Sequence, residues 1–304
     1  MSSKIILYHG PGVDPFCAAV LARQVQELCD DRIYRIYQES SFLGHYSDPG
    51  QPVKALFVPG GNAASMAVSS DLGMRFLGFS GKRRLYDRSG MRLLEADLEK
   101  GKVSYGGVCA GGVLACSGLH ERFSEGMHPE PRYRLEGTEL ANIFPTEVLA
   151  PLFPKIPHGT RFSIADLHFD PVVFPERPDF SLRVIHSLSP GFFRYSANTE
   201  VLTKYGSAQP EKYVLGKEDS QEVQCVSRDE VAGTIYEAEK FPKLLTAAHF
   251  EIDAPAIRSE SFRHACLGSL ETQEALAAEM DPTDALRKDA LRGFIQKLGI
   301  VCKV

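Results

Sequence analysis

The sequence feature that most constrains the fold is a cysteine between two glycines, placed where a strand pattern changes into a helix pattern. Residues 102–105 alternate as in a short strand, and the small and apolar residues of 110–116 are typical of a helix packed closely against a sheet. Between them lies Gly107-x-Cys109-x-Gly111, a nucleophile-elbow pattern with Cys in place of Ser. A sharp turn of this kind strains the backbone of the nucleophile, and glycines leave room for it. The pattern predicts that the sulfur of Cys109 projects above the edge of a sheet.

A cysteine in this position has two interpretations. At the N-terminus of a helix, the helix dipole and the free N–H groups favour the thiolate over the thiol, which suits a nucleophile. Free cysteine is also among the most frequently buried residue types, so Cys109 fits an inert core position as well. The choice between the two depends on which other side chains reach the same place.

Strand and helix patterns alternate through the first third of the chain. Strand patterns cover 4–9, 32–37 and 54–58, and helix patterns cover 16–29 and 91–100. This alternation predicts an α/β fold with a doubly wound, mostly parallel sheet. In such sheets ligands bind beyond the carboxyl ends of the strands, so the loops that follow the strands are where a site is expected.

The rest of the chain changes character twice. The range 119–180 is rich in Pro and His and predicts long loops with short helices, either an insertion over the crevice or the margin of one domain. Alternating segments between 192 and 237 predict an antiparallel extension of the sheet, and 244–249 predicts another strand. Apolar residues at helical spacing predict a helical tail over 259–304. We therefore expect one domain over 1–304, with a loop-rich insertion at about 119–180.

The composition is that of an ordinary soluble globular protein, and it excludes several functions. The net charge is −5 and the pI about 6.0, which leaves no basic surface for nucleic acid. The sequence has neither a signal-peptide pattern nor an apolar run of membrane-spanning length, so we expect a cytoplasmic protein with no membrane partner. The seven cysteines are scattered and include no C-x-x-C pair, which argues against a disulfide framework or a zinc site and favours reduced thiols.

One pair of glycines resembles part of a dinucleotide-binding loop. Gly10 and Gly12 stand between a strand pattern and a helix pattern, but Pro15 occupies the place of the third glycine. No GK[ST] sequence follows any glycine-rich loop. We therefore expect no nucleotide, no metal and no other cofactor.

The best candidate for a general base is a histidine at the end of a late strand. His249 and Glu251 are two residues apart, and on an extended strand such residues project from the same face. A carboxylate beside an imidazole holds its tautomer and stabilises its cationic form, which is what a Cys–His pair needs from a third group. The alternative is a strand-end histidine bonded only to backbone. Asp14, at the end of the first strand, is a second candidate for the acid.

A more literal histidine–acid sequence, His128-Pro129-Glu130, follows soon after the elbow. It lies in a polar, proline-flanked stretch, and a helix must come between Cys109 and this stretch. Little chain is then left to return a strand to the crevice. We interpret His128 as a surface or lid residue.

A Pro-Gly-Gly turn after the third strand completes the set of candidates. Backbone N–H groups approach a ligand most closely where no Cβ intrudes, and Gly60 and Gly61 provide two such groups. Together with the N–H of Ala110, they are candidates for an oxyanion hole, an arrangement that stabilises a transition state by about 3–4 kcal/mol. By itself the same sequence also fits a plain turn between a strand and a helix.

These motifs, in this order, resemble the class I glutamine amidotransferase superfamily and, within it, the N-terminal-domain family of biotin-protein ligases. The resemblance spans nearly the whole chain. It rests on Tyr8–Gly12, Phe57–Gly61, Gly106–Gly111, Arg194–Thr199, His249-x-Glu251 and Leu291–Gly299.

The resemblance implies a flavodoxin-like fold and a Cys–His–Glu triad. Cys109 would be the nucleophile, His249 the base and acid, and Glu251 the orienting group, with a glutamine-like amide as substrate and a thioester intermediate. Phe250 departs from the His-Pro-Glu sequence common in the superfamily. No adenylate loop of a biotin ligase and no synthetase domain is present, so amidotransfer would need a separate synthetase or acceptor protein.

Two other functions stay open at this stage. Cys109 fits a reactive thiol that does not deamidate glutamine, as in protease-like proteins of the same fold. The crevice also fits a binding or regulatory module without turnover, because a fold alone does not determine function.

Overall fold

The computed structural model describes residues 3–10, 12–36, 51–61, 63, 66, 102–121, 144–150, 163–169, 180–187, 190–206, 212–215, 224–238, 242–266 and 269–303. Three features predicted above lie outside these ranges. They are the helix at 91–100, the His128-Pro129-Glu130 sequence and most of the segment 119–180.

The described residues contain fourteen strands, numbered here in chain order. They are β1 (Lys4–Tyr8), β2 (Arg32–Ile36), β3 (Val53–Val58), β4 (Ser104–Val108), β5 (Gly118–Glu121), β6 (Glu147–Ala150), β7 (Ser163–Phe169), β8 (Ser181–His186), β9 (Gly191–Phe193), β10 (Glu200–Tyr205), β11 (Lys212–Leu215), β12 (Gln224–Ser227), β13 (Ala232–Glu237) and β14 (Lys243–Thr246). The helices include α1 (Pro15–Leu28), α2 (Ala110–Ala115), α3 (Ala254–Ile257), α4 (Glu260–Cys266), α5 (Leu270–Met280) and α6 (Asp284–Lys297).

One half of the main sheet is parallel, in the order β2-β1-β3-β4-β14. This is the flavodoxin order, in which the chain winds outward from a central strand in both directions. The predicted doubly wound parallel sheet is therefore confirmed. In register, Val58 lies opposite Gly107 and Thr246 lies opposite Val108. Three strands thus bring their carboxyl ends to one edge of the sheet.

An antiparallel extension continues the sheet beyond β14, in the order β13-β10-β7-β8. β9 pairs with both β13 and β6, and β6 pairs in parallel with β5. β11 and β12 form a separate antiparallel pair. The alternating residues between 192 and 237 predicted an antiparallel extension, and the structure confirms it for β10 and β13, whereas β7 and β8 come earlier in the chain.

The described parts of the range 119–180 are mostly strands and contain no helix, in contrast to the predicted loops with short helices. Most of β5 and all of β6 and β7 fall within it. β7 pairs with β8 and β10, both of which come later in the chain. Strand preference depends strongly on such neighbours, so a local pattern rich in proline did not predict these strands. The assignment of the range as an insertion in one domain stays a prediction.

The helices that cover the parallel half follow from local sequence signals. Asp14 caps α1 by accepting the N–H of Phe16 at 2.9 Å, and Pro15 occupies the first turn, where its missing N–H costs nothing. Phe294 in α6 is 2% exposed, and Leu298, directly after the end of this helix, is 1% exposed. Each such side chain contributes about 1.5–3 kcal/mol when buried. No described helix is long and apolar enough to cross a membrane.

Candidate active site

Cys109 occupies the sharp turn between β4 and α2. Its backbone has φ 49° and ψ −111°, a conformation that non-glycine residues rarely adopt. Such strain costs on the order of 1–3 kcal/mol and persists only where the surroundings hold it. The N–H of Cys109 donates to the carbonyl of Thr246 at 2.7 Å, and its own carbonyl accepts the N–H of Val113 at 3.0 Å. The turn is therefore held by β14 on one side and by α2, which begins at Ala110, on the other.

The glycines beside the turn allow three backbone segments to approach one another. A Cβ atom on Gly107 would lie 2.7 Å from the carbonyl oxygen of Gly111. One on Gly111 would lie 2.0 Å from the carbonyl oxygen of Val58, in β3. Neither position accepts a side chain unless the backbone moves, so Gly107-x-Cys109-x-Gly111 is a packing requirement of this turn.

Tyr105 supports the turn from within the sheet, a role that the sequence did not indicate. Its hydroxyl donates to the carbonyl of Gly111 at 2.8 Å, and its side chain is 1% exposed. Burial raises the pKa of Tyr105 well above its ordinary value, so the phenol stays protonated and remains a donor. The alternation of apolar residues in β4 indicated that Tyr105 is buried, but nothing in the sequence indicated the hydrogen bond to Gly111.

His249 lies buried beside the turn and is anchored through its backbone. Its N–H donates to the carbonyl of Ile185 at 2.8 Å, in an isolated bridge to β8. Its ring is in hydrogen-bond and electrostatic contact with the thiol of Cys109. A Cβ atom on Gly60 would lie 2.5 Å from the ring atom Cε1, so the absence of a side chain there makes room for the imidazole.

The pairing of His249 with Glu251 arises from a turn and not from the extended strand that was predicted. β14 ends at Thr246, whose hydroxyl donates to the carbonyl of Ala248 at 3.1 Å and so helps to curl the chain. Residues 250 and 251 are in a turn conformation. Nδ1 of His249 nevertheless lies 2.8 Å from Oε1 of Glu251. Both side chains are 1% exposed.

Phe250 holds this turn in place. It occupies the position at which the resemblance predicts a proline. It is 3% exposed and meets Phe294 of α6 edge to face, with ring centroids 4.9 Å apart and an interplanar angle of 89°. Such an aromatic pair contributes about 0.5–1.5 kcal/mol beyond the burial of its area. A core contact therefore holds the turn in place of the fixed φ of a proline.

The electrostatics of this cluster favour a charged imidazole. Burial by itself lowers the pKa of His249, because desolvation disfavours the cation. The charges of Glu251 and Cys109 and their hydrogen bonds outweigh burial and raise that pKa to about 10. At neutral pH the Nδ1–H group therefore donates to Glu251. Oε2 of Glu251 is buried without a hydrogen-bond partner among the described residues, so this carboxylate depends on the imidazolium for compensation.

The Pro-Gly-Gly turn meets the first loop of the chain at the same edge of the sheet. The carbonyl of Gly60 accepts the N–H of Asp14 at 3.0 Å. A Cβ atom on Gly61 would lie 2.1 Å from the carbonyl oxygen of Gly12. The loops after β1 and β3 are thus in backbone contact, and Gly60 lies beside the His249 ring.

Asp14, the alternative candidate for the acid, caps a helix. Oδ1 of Asp14 accepts the N–H of Phe16 at 2.9 Å and that of Cys17 at 3.4 Å. The carboxylate bonded to His249 belongs to Glu251. Within the described ranges, no group of three or more His, Cys, Asp and Glu side chains is arranged to hold a metal ion.

The end of β8 also contributes to the site, which sequence reasoning missed. Sγ of Cys109 lies 3.9 Å from the carbonyl oxygen of Ser187. Ile185, two residues earlier, accepts the backbone N–H of His249. No signal in the sequence links β8 to the elbow, because this contact depends on where the antiparallel extension folds back.

Comparisons with known proteins bear on the fold. No family model matches this chain, and no curated protein matches its sequence. Among solved structures, a glutamine amidotransferase from Thermotoga maritima is similar, with a TM-score of 0.53 and 12% sequence identity over 98% of this chain and 98% of that chain. Another glutamine amidotransferase has a TM-score of 0.43 and 14% identity over 89% of this chain and 98% of that chain. The first likeness gives this chain a class I glutamine amidotransferase-like fold.

Proposed function

We propose that the chain is a cysteine-dependent amide hydrolase or amidotransferase acting on a glutamine-like substrate. In this proposal Cys109 is the nucleophile, His249 the general acid and base, and Glu251 the group that orients the imidazole. The observation that carries the proposal is the strained Cys109 in contact with a buried His249, itself 2.8 Å from Glu251. A strained nucleophile beside a base that a third group orients is the arrangement of nucleophilic catalysis.

The first half-reaction follows from the protonation state of the imidazole. A thiolate at Cys109 attacks the amide carbon and forms a carbon–sulfur bond. His249, cationic at neutral pH, donates its proton to the leaving nitrogen as the carbon–nitrogen bond breaks. The products of this step are ammonia and a thioester on Cys109.

The second half-reaction restores the site. Neutral His249 accepts a proton from water as the water oxygen attacks the thioester carbon. The carbon–sulfur bond breaks, the carboxylic acid leaves, and Cys109 and His249 regain their starting charges. Glu251 keeps Nε2 of the imidazole directed to the reacting atoms by holding Nδ1 throughout both steps.

The tetrahedral intermediates of both steps carry a negatively charged oxygen. We propose that the N–H groups of Gly60, Gly61 and Ala110 bind it. Support comes from the contact of Gly60 with the His249 ring and from the position of Ala110 directly after the nucleophile.

The substrate, the partner and the finer family are parts of the same proposal. A glutamine-like substrate is supported by the fold that the chain shares with a glutamine amidotransferase. The motif resemblance supports membership of the biotin-protein-ligase N-terminal-domain family and a separate synthetase or acceptor as partner. The cytoplasmic location expected from the sequence belongs to the same proposal.

The test is a glutaminase assay on the purified chain, in which glutamate and ammonia are both measured. We expect turnover, and we expect the Cys109→Ala and His249→Ala variants to lose it. Cys225→Ser, which changes an exposed cysteine on β12, is the matched control and should keep full activity.

The outcomes separate the three functions named at the start. Loss in both variants supports the triad. Rapid oxidation or alkylation of Cys109 that persists in His249→Ala, without glutamate formation, supports a reactive thiol instead. A ligand bound equally well by wild type and Cys109→Ala, without turnover, supports a binding module.

A further inference from the structure

Two cysteines far apart in the sequence face each other away from the candidate active site. Cys29, directly after α1, and Cys302, beyond α6, form an isolated antiparallel bridge. The N–H of Lys303 donates to the carbonyl of Leu28 at 2.7 Å beside this pair. The thiol of Cys29 is hydrogen-bonded to the sulfur of Cys302. Both are free thiols in the structure.

The backbone geometry of this pair suits a covalent bond between the sulfurs. The hydrogen bond from Lys303 to Leu28 flanks the two cysteines, which makes them a non-hydrogen-bonded antiparallel pair. The Cα atoms of such a pair lie about 4.5 Å apart, with the side chains close together. Disulfides form when the Cα atoms are about 4.4–6.8 Å apart. The backbone arrangement of the two cysteines is therefore one that a disulfide can span.

The surroundings of the two thiols differ in a way that favours stepwise oxidation. Cys29 is 2% exposed, and burial raises the pKa of its thiol to about 12, with Cys302 adding to the effect. Burial raises the pKa of Cys302 as well, and the hydrogen bond from Cys29 and the charges of Arg292 and Lys54 offset this rise only in part. Cys302 is only partly buried, so an oxidant reaches it first.

We propose that Cys29 and Cys302 are a reversible oxidation site, in which the two thiols form a disulfide that joins the end of α1 to the segment after α6. This site is separate from the triad and does not rest on the proposed function. The oxidant is a peroxide.

The chemistry balances in two steps. The thiolate of Cys302 attacks one oxygen of hydrogen peroxide, the oxygen–oxygen bond breaks, and Cys302 becomes a sulfenic acid as hydroxide leaves. The sulfur of Cys29 then attacks the sulfur of Cys302, and water leaves with the proton of the Cys29 thiol. Each sulfur loses one electron, and the two oxygens of peroxide together gain two. A dithiol reductant reverses the reaction by thiol–disulfide exchange.

The disulfide would fasten two helices that already lie side by side. Nζ of Lys288 in α6 lies 2.8 Å from Oε2 of Glu27 in α1. A bond between positions 29 and 302 closes a loop of most of the chain, and the stabilisation by a disulfide grows with the length of the loop that it closes. Oxidation should therefore raise the midpoint temperature of unfolding, by about 5 °C for a chain of this size.

The experiment treats the reduced full chain with stoichiometric hydrogen peroxide and maps its tryptic peptides without reduction. We expect the peptide Gln24–Arg32 to appear joined to Leu298–Lys303, and dithiothreitol to separate the two. The oxidised chain should unfold at a temperature about 5 °C higher than the reduced chain. Cys302→Ser should abolish both the joined peptide and the shift, and Cys225→Ser, the matched control, should retain both.

Two results would overturn the proposal. One is that the two peptides stay separate while Cys302 is converted to sulfinic acid. The other is a joined peptide that pairs Cys302 with a cysteine other than Cys29. Cys302 is partly exposed, so its replacement by serine is a mild change to folding, and the peptide map reads each cysteine separately from any reaction at Cys109.

Discussion

Nδ1 of His249 lies 2.8 Å from Oε1 of Glu251, although neither residue is in a strand. The two side chains are buried together, and the ring also contacts the thiol of Cys109. The side chains of Cys109, His249 and Glu251 thus lie together, shielded from solvent, so the charge of each depends on the charges of the other two. This dependence leads to the first three predictions below.

The reactivity of Cys109 should depend on His249. In the wild type, we expect iodoacetamide to alkylate Cys109, although it is buried, faster than exposed Cys225 below neutral pH, because a base in contact with a nucleophile activates it. In His249→Ala, Cys109 should lose this advantage. Site-resolved mass spectrometry over a series of pH values measures both rates in the same sample. Equal rates in the wild type would remove the support for an activated nucleophile.

Replacing Glu251 by glutamine should lower kcat by about 10²–10⁴-fold. An amide cannot stabilise the imidazolium and can favour the wrong tautomer, while the size of the side chain is kept. The raised pKa of His249 should fall in the same variant, because Glu251 is the first of the groups that raise it. Glutaminase kinetics and an NMR titration of the imidazole are the measurements. An unchanged kcat would assign Glu251 to packing alone.

The stability that His249 contributes should decrease at alkaline pH. Its pKa is raised from 6.5 in the unfolded chain to about 10 in the folded chain, so the folded state binds the proton more tightly. The contribution is therefore fully present below pH 6.5 and is lost as the pH rises through about 10. It is on the order of a few kcal/mol.

Urea denaturation of the wild type and of His249→Gln, at several pH values across this range, measures the effect. The difference in unfolding free energy between the two proteins should shrink as the pH rises. Ionisable groups remote from His249 titrate alike in both proteins and cancel in the difference, so the pH dependence that is left belongs to His249 and the two groups coupled to it. A difference that stays constant with pH would mean that the imidazole is neutral in the folded chain.

Gly60→Ala should displace the imidazole of His249 and leave the fold of α6, which carries the control position Gly293, unchanged. The new Cβ atom would lie 2.5 Å from Cε1 of His249, so the ring must leave its present position. We expect kcat to fall by about 10²-fold, as for other small misplacements of a catalytic group. Gly293→Ala is the matched control, because a Cβ there meets nothing within 4 Å and should stabilise the helix by about 0.5–1 kcal/mol. Full activity in Gly60→Ala would contradict the close contact between Gly60 and the ring.

Tyr105→Phe should loosen the turn that carries Cys109. The change removes the bond to the carbonyl of Gly111 and leaves that buried acceptor without its donor, at a cost of about 1–3 kcal/mol. We expect the alkylation rate of Cys109 to change as well. Tyr236→Phe removes a comparable bond, from its hydroxyl to the carbonyl of Lys297 at 3.2 Å, and serves as the control. A variant of Tyr105 that loses stability but keeps the reactivity of Cys109 would limit Tyr105 to a structural role.

Local patterns in the sequence were sufficient for the parallel half of the sheet and for the elbow. β1 and β3 are short apolar segments with a glycine two residues beyond their ends, β4 ends directly before Cys109, and α1 begins after a capping aspartate, at a proline. Backbone dihedrals, helix capping and the spacing of apolar residues each depend on only a few neighbouring residues, so the local sequence is enough to predict these elements. The positions of Gly107 and Gly111 belong to this class, because the turn itself forbids a side chain there.

Contacts between distant segments were decided only by the tertiary structure. The prediction for His249 and Glu251 assumed an extended strand, whereas the chain turns after Thr246 and the packing of Phe250 sets the position of the pair. The strands within 119–180, the bond from Tyr105 to Gly111 and the pairing of Cys29 with Cys302 depend on which segments the sheet and helices bring together. Pairing across a sheet is chosen by burial and by neighbouring strands, and these are properties of the whole fold that no local window of the sequence contains.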